Sequence, residues 1–346
     1  MMTRYIISLT TSIGVSAILC GTTNAQDKPS QSVGVARLSQ PVVTAINKGL
    51  TSLAKKGIQN ADGSWGGAQN RVAETALSLM AFMLPGNVPG RGMYGRHMEL
   101  AIDYLLNIGK SQRGYIGTPR NHAGMYEHGL AVLALSEAWG QSKNPRIGSA
   151  LRAAVDIILR SQNREGGWRY NPEPRDADLS MTVMQLVALE SASEAGISVP
   201  QTTIDKAKDY VLSCQDETSG GFKYQPGGGE PGFARTAAGV MSLIMCGQRN
   251  LKQTQRGIAF LKAYPENVKF GKGFSRFHYS HYYAMQSMYQ SGDADFHLWY
   301  PKISATILST QREDGSWNGA HGTAYGTSLS ILILGVPYRY LPIYQR

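Results

Sequence analysis

The sequence predicts an all-α fold: one (α/α)6 toroid, six inner helices surrounded by six outer ones. Three observations predict it. A short pattern of glycine and an aromatic residue recurs six times, led by glutamine in five copies and by Lys272 in the other, two helical stretches flank each copy, and the terminal copies are as complete as the middle ones.

Four copies are closely alike, at residues 59–66, 162–169, 215–223 and 311–318. Each starts with Gln59, Gln162, Gln215 or Gln311 and reaches Trp65, Trp168, Phe222 or Trp317 through polar residues and glycine. Weaker copies surround Tyr115 and Phe274. The six aromatics lie 50, 53, 54, 52 and 43 residues apart, a period that marks a repeat architecture.

Before each aromatic comes an amphipathic stretch with apolar residues three and four apart: 43–55, 99–108, 149–160, 204–214, 255–263 and 301–310. After each comes a more apolar stretch: 73–84, 128–139, 180–192, 234–246, 281–289 and 323–334. Small residues such as Ala234, Ala237, Ala238 and Gly239 suit the second set to close packing. One such pair cannot bury its apolar helix alone, and an open stack needs polar caps at its ends. Complete terminal copies therefore point to a closed ring over residues 42–346.

Composition agrees. With 17% charged and 42% hydrophobic residues, neither disorder nor coiled coil fits. The 346 residues suggest about two domains at ~150 residues each, but six pairs form a single core. The 39 glycines exceed the usual share of about 7% and lack a collagen period; they gather around the repeated aromatics. The net charge is +10, yet Lys and Arg are scattered, with no run longer than Lys55-Lys56. That describes a basic surface and not a nucleic-acid interface.

Residues 1–25 read as a signal peptide: Arg4, an apolar run over 5–19, and Thr23-Asn24-Ala25 as the cleavage site. A linker over 26–41 follows. Leu19 is too large to precede a lipidated Cys20. No later segment reaches 18 apolar residues, so no span is expected after cleavage, and the mature chain is expected to be periplasmic or secreted. Cys214 and Cys246 end an outer and an inner helix of one antiparallel pair, about 20 Å apart at 1.5 Å per residue. They should be buried free thiols, since a disulfide cannot reach.

Through its glutamine–aromatic turns the chain resembles the prenyltransferase and squalene-cyclase repeat family, over residues 42 to about 336. The resemblance implies a structural role for Gln59, Trp65, Gln162, Trp168, Gln215, Phe222, Gln311 and Trp317, tying neighbouring outer helices together. It also implies where chemistry would sit. Class II terpene cyclases carry a DxDDT stretch whose middle acid protonates an alkene. Here the matching stretch is Asp178-Leu-Ser-Met-Thr182, so two acids are replaced by Ser180 and Met181, with Asp176 just upstream. The simpler role for Asp178 is a helix cap. The zinc-binding D-x-C of protein prenyltransferases is missing from the run starting at Gly232, and His321 alone is no zinc site. No thioester stretch occurs. No metal or cofactor is expected.

The inner helices' N-termini should line the mouth of the ring, where free N–H groups and a positive pole gather. Five of the seven histidines fall in these segments: His122, His128, His278, His281 and His321. Asn121, Tyr279 and Tyr283 join them, as do Tyr126, Arg235, Tyr282 and Tyr325, which with His128 and His278 form the expected ligand-binding set. Glu127, Asp176, Asp178, His281 and His321 are the catalytic candidates. With both family signatures broken, the first reading is a non-catalytic toroid binding an amphipathic small molecule or a protein partner. The alternative is an enzyme acting on an isoprenoid, lipid or glycan within the ring.

Overall fold

The computed structural model describes residues 38–119, 124–142, 144–271, 276–338 and 341. The expected signal peptide with Cys20, and also Asn121, His122 and Phe274, lie outside them.

Six outer helices, α1 (Gln40–Leu53), α3 (Gly95–Ser111), α5 (Arg146–Ser161), α7 (Gln201–Ser213), α9 (Lys252–Ala263) and α12 (Asp293–Leu308), alternate with six inner ones. The inner helices are α2 (Arg71–Met83), α4 (Gly124–Trp139), α6 (Leu179–Glu194), α8 (Phe233–Met245), α11 (Phe277–Ser291) and α13 (Thr323–Leu334). A single turn, α10 (Glu266–Lys269), precedes α11. The inner helices pack side by side in chain order, and α13 returns to α2, closing the ring. Their contacts occur at matching heights, as between Ser78 and Ser328 at 3.0 Å and between Ser191 and Glu137 at 3.1 Å, so they run parallel.

The spatial pairing is shifted from the sequence pairing. Each outer helix packs chiefly on the inner helix that precedes it in the chain: α3 on α2, α5 on α4, α7 on α6, α9 on α8 and α12 on α11. The first outer helix, α1, accordingly packs on α13. The outer helices bury one stripe each, for instance Ile147, Leu151, Ala154, Val155 and Ile158 of α5. The inner helices are buried nearly all round, as an element walled on both sides must be.

The glutamines carry the closure. Gln59 Nε2 donates to Gly63 O in its own turn and to His97 O in the first turn of α3. Gln162 does the same to Gly166 O and Thr203 O, and Gln215 to Gly220 O and Gln253 O. Gln311 reaches from the last turn to Ala45 O of α1, at 2.9 Å. The turn glycine is dictated by the same contact. Gly166 has φ +95°, and a Cβ there would lie 2.2 Å from Lys206 O of the next outer helix. Only glycine meets both conditions.

Several helices start before the stretches read from the sequence, α3, α4 and α11 by four residues and α12 by eight. Helix α12 starts eight residues before Pro301 and runs through it; its acidic first turn, Asp293 and Asp295, suits a helix N-terminus. Cys214 and Cys246 are free, as expected, but Cys246 is only half-buried because it lies past the end of α8. Burial pushes the Cys214 thiol up to about 12. No helix among the described residues is long and apolar enough to cross a membrane.

Candidate functional site

The mouth is held open by a bond pattern that starts at the repeated aromatic. Each Trp indole N–H caps a carbonyl at the end of its own outer helix: Trp65 to Leu53 O, Trp168 to Ile158 O and Trp317 to Ile307 O, at 2.7–3.0 Å. The aromatic's backbone N–H donates to a threonine hydroxyl in the following inner helix: Thr75, Thr182, Thr236 or Thr327, at 2.9–3.2 Å. In the second repeat His128 Nδ1 replaces threonine, accepting from Ile116 N at 2.9 Å. Two of the turns also cap the preceding inner helix. Tyr170 O accepts from Met125 N and Tyr224 O from Leu179 N, satisfying amides that a helix N-terminus leaves unpaired.

All six inner helices expose a residue to this mouth in their first turn: Ala73, Tyr126, Ser180, Arg235, Tyr279 and Tyr325 are each partly accessible. Tyr126 and Tyr279 stand on diametrically opposite helices, yet each alters the other's ionisation. Burial, with Tyr279 and Asp178 nearby, holds the Tyr126 hydroxyl well above its ordinary value, so it stays protonated. Below them Tyr283 crosses the ring from α11 and donates to Met184 Sδ of α6 at 3.9 Å. The floor of the mouth is therefore tyrosine and methionine.

The expected histidines divide by helical position. Residues two apart on a helix lie about 200° apart, so when Tyr126 and Tyr279 face the axis, His128 and His281 face outward. His128 is fully buried, and its Nε2–H donates to Ala154 O of α5. His281 is fully buried among Phe233, Phe270, Phe277 and Trp299, and its Nε2–H donates to Lys269 O. Burial lowers both to about 4, so both are neutral. They and Tyr282, 5% exposed, cannot touch a ligand and are a correction to the expected set. His278 stays at the mouth, sharing a hydrogen bond with Ser330 Oγ at 3.1 Å. His321 is exposed beside Asn70 and stands edge-on to Tyr325. Arg235 donates to Glu230 O at the rim.

The carboxylates are held apart, each in its own sector. Glu127 is buried and accepts from Thr118 N at 2.6 Å; burial raises its carboxyl. Asp178, fully buried, caps α6 through Met181 N at 3.0 Å and faces Arg169 Nη1 at 3.4 Å. Burial raises its carboxyl, while Met181 N–H and Arg169 oppose that shift. Arg169 also lies 3.4 Å from exposed Asp176 and stacks over the Tyr170 and Tyr224 rings. The sequence reading missed Arg169, although it directly follows the repeated Trp168.

It also missed Glu74. This carboxylate sits in the first turn of α2 at the seam with α13, only 3% exposed. Its carboxyl carbon lies 2.3 Å from where a Cβ would stand on Gly66, whose φ of +84° itself favours glycine. The Tyr325 backbone N–H bonds it, yet burial pushes it up to about 7. Among the described residues no group of His, Cys, Asp and Glu could hold a metal.

The model of the prenyltransferase alpha-alpha toroid domain matches residues 37–262, well over half the chain, so the chain belongs to that family. No curated protein matches it. Among solved structures it is similar to an α-1,6-mannanase from Salegentibacter sp. in complex with α-1,6-mannotriose. That likeness has 8% identity and a TM-score of 0.62 over 86% of this chain and 99% of that one. It is similar to the type II terpene cyclase MstE from Scytonema at 15% identity and a TM-score of 0.57, over 88% and 98%. A cellobiose 2-epimerase from Bacillus thermoamylovorans matches at 13% identity and 0.59, over 84% and 99%. These likenesses show a shared toroid.

Proposed function

We propose that this prenyltransferase-type toroid is an exported, non-catalytic binding protein that takes an amphipathic small molecule at its mouth. One observation carries the reading: Ser180 stands where the resembled motif has its protonating acid, and the one acid left of that motif, Asp178, is engaged as a helix cap and ion-paired with Arg169. An alkene-protonating acid must be neutral and aim its proton at substrate. The partly accessible Tyr126, Tyr279 and Tyr325 at the inner-helix starts support binding too, presenting rings to an apolar body and hydroxyls to a polar end.

Native mass spectrometry of the protein from its own host tests this. A non-covalent adduct should accompany wild type and be lost from Tyr279→Ala. Adduct-free wild type contradicts the reading. The intact mass of the same preparation tests export: it should start at Gln26, and a chain starting at Met1 contradicts processing.

The second reading is an enzyme acting on an isoprenoid, lipid or glycan. Glu74 favours it, because a carboxyl at about 7 beside Tyr325 suits general acid–base work at neutral pH. The toroids solved as a mannanase and a terpene cyclase support the same alternative.

A further inference from the structure

The chain holds one Asn-Gly dipeptide, Asn318-Gly319, directly after the repeated Trp317 of the last turn. An asparagine followed by glycine is open to attack by the next residue's amide nitrogen, because no Cβ blocks the approach. The structure presents the parts of that reaction. Asn318 is exposed and Gly319 partly accessible. Among the described residues nothing accepts a hydrogen bond from Gly319 N, so that nitrogen is not spent on the turn. Arg312 Nη1 donates to Asn318 Oδ1 at 3.0 Å. That sets a permanent positive charge at the carbonyl oxygen, where negative charge gathers as the carbon is attacked.

Comparable positions in these turns are locked. Asp314 precedes Gly315, but Gly315 N donates to Arg312 O at 2.9 Å, and Ser316 N and Oγ hold Asp314 Oδ1 at 3.0 and 2.6 Å. Asp62 and Gly63 are held likewise in the first turn, by Ser64 and by Asn60 O. Asn60 and Asn163 precede Ala61 and Arg164, and their side chains are bonded inside their own turns. Packing also sets what modification would do. The backbone of 318–319 lies on Gly326 in the first turn of α13: a Cβ there would stand 2.5 Å from Asn318 C and 2.6 Å from Gly319 N. The Tyr325 ring lies 2.7 Å from where a Gly319 Cβ would be. An extra main-chain atom between 318 and 319 has no room in such close packing.

We propose that Asn318 is a site of spontaneous modification by water that ages the ring at its closing repeat. Gly319 N, giving its proton to hydroxide, bonds to Asn318 Cγ; the Cγ–Nδ2 bond breaks and ammonia leaves, closing a succinimide. Water then adds to one of the two succinimide carbonyls and breaks its bond to nitrogen. The product is aspartate, or isoaspartate with a main chain one methylene longer. No electrons are exchanged. The longer chain pushes the turn off Gly326 and loosens the first turn of α13, beside Tyr325 at the mouth. The site is independent of what the mouth binds.

Peptide mapping of the full-length protein during incubation at mildly alkaline pH tests it. Tryptic peptide 313–339 has Asn318 as its only side-chain amide, so a gain of about 1 Da there reports this residue alone. Folded wild type should gain that mass, faster as the pH is raised. Arg312→Gln should convert roughly fivefold more slowly, through loss of a charge-assisted hydrogen bond. The isoaspartate form, enriched by ion exchange and recognised by its resistance to an aspartate-specific protease, should melt below wild type. Asn318→Asp, which adds the charge without the methylene, should melt close to wild type. Folded wild type that keeps its mass while the urea-unfolded chain converts would overturn the proposal, as would equal rates for wild type and Arg312→Gln. An isoaspartate form that melts with wild type would overturn the loosening of α13.

Discussion

Single residues set the sharpest pH behaviour. Glu74 has a folded value of about 7 against an ordinary 4.5, so the folded state holds its proton longer than the unfolded chain. Stability from this group is full below about 4.5 and declines as pH rises through 7. Facing it from α13 and its approach are Tyr325 and exposed His321; its own turn adds Arg71, paired with Asp62. None neutralises it. Glu74→Gln should therefore exceed wild type in thermal midpoint by a margin that grows between pH 4.5 and 7 and then stays level. The margin corresponds to roughly 1–3 kcal/mol. A pH-independent difference in melting scans would contradict it. His128, His278 and His281 act oppositely: each is lowered to about 4, so their contribution is lost as pH falls from about 6.5 toward 4. Thr182 gives a second check. Its hydroxyl accepts from Trp168 N and donates to Asp178 O. Thr182→Val should cost about 1–3 kcal/mol in denaturant unfolding, by leaving a buried amide unpaired. A loss below ~0.5 kcal/mol would show that the bond is dispensable.

At the scale of elements, the glutamine–aromatic turns were legible because their spacing and residue types are nearly constant. The threonines were not, because they follow the aromatic by ten residues in two repeats and fourteen in two others, and a histidine stands in for one. The mouth was half legible. Residue type brought histidines and tyrosines to the inner-helix starts, but which of them face the axis depends on helix rotation. That is how His128 and His281 came to be core residues. Glu74 was hidden because an acid in a helix first turn is ordinary; only packing at the α13 seam makes it unusual. The closure itself can be probed. Gln311→Ala removes the bond to Ala45 O across the seam, and Gln162→Ala removes its equivalent within the chain. Both should cost about 1 kcal/mol. Hydrogen exchange should rise in α1 for the first and in α7 for the second. Equal exchange in α1 for both variants would contradict closure through Gln311.

For the whole molecule, ring closure explains how some 300 residues form one core without polar caps. It also gathers six helix N-termini into one mouth and leaves their C-termini on the other face. In this chain Ser180 stands at the protonating position of the cyclase motif it resembles, and the remaining acid, Asp178, is bound into the scaffold by Arg169 and its own helix. The most direct test of binding without catalysis is a mass balance. The protein is incubated with a polyprene panel and with α-1,6-linked mannan, alongside Asp178→Asn. Every substrate should be recovered unchanged, with wild type and variant alike. Product formed by wild type and abolished by Asp178→Asn would contradict the account and make Asp178 a catalytic acid.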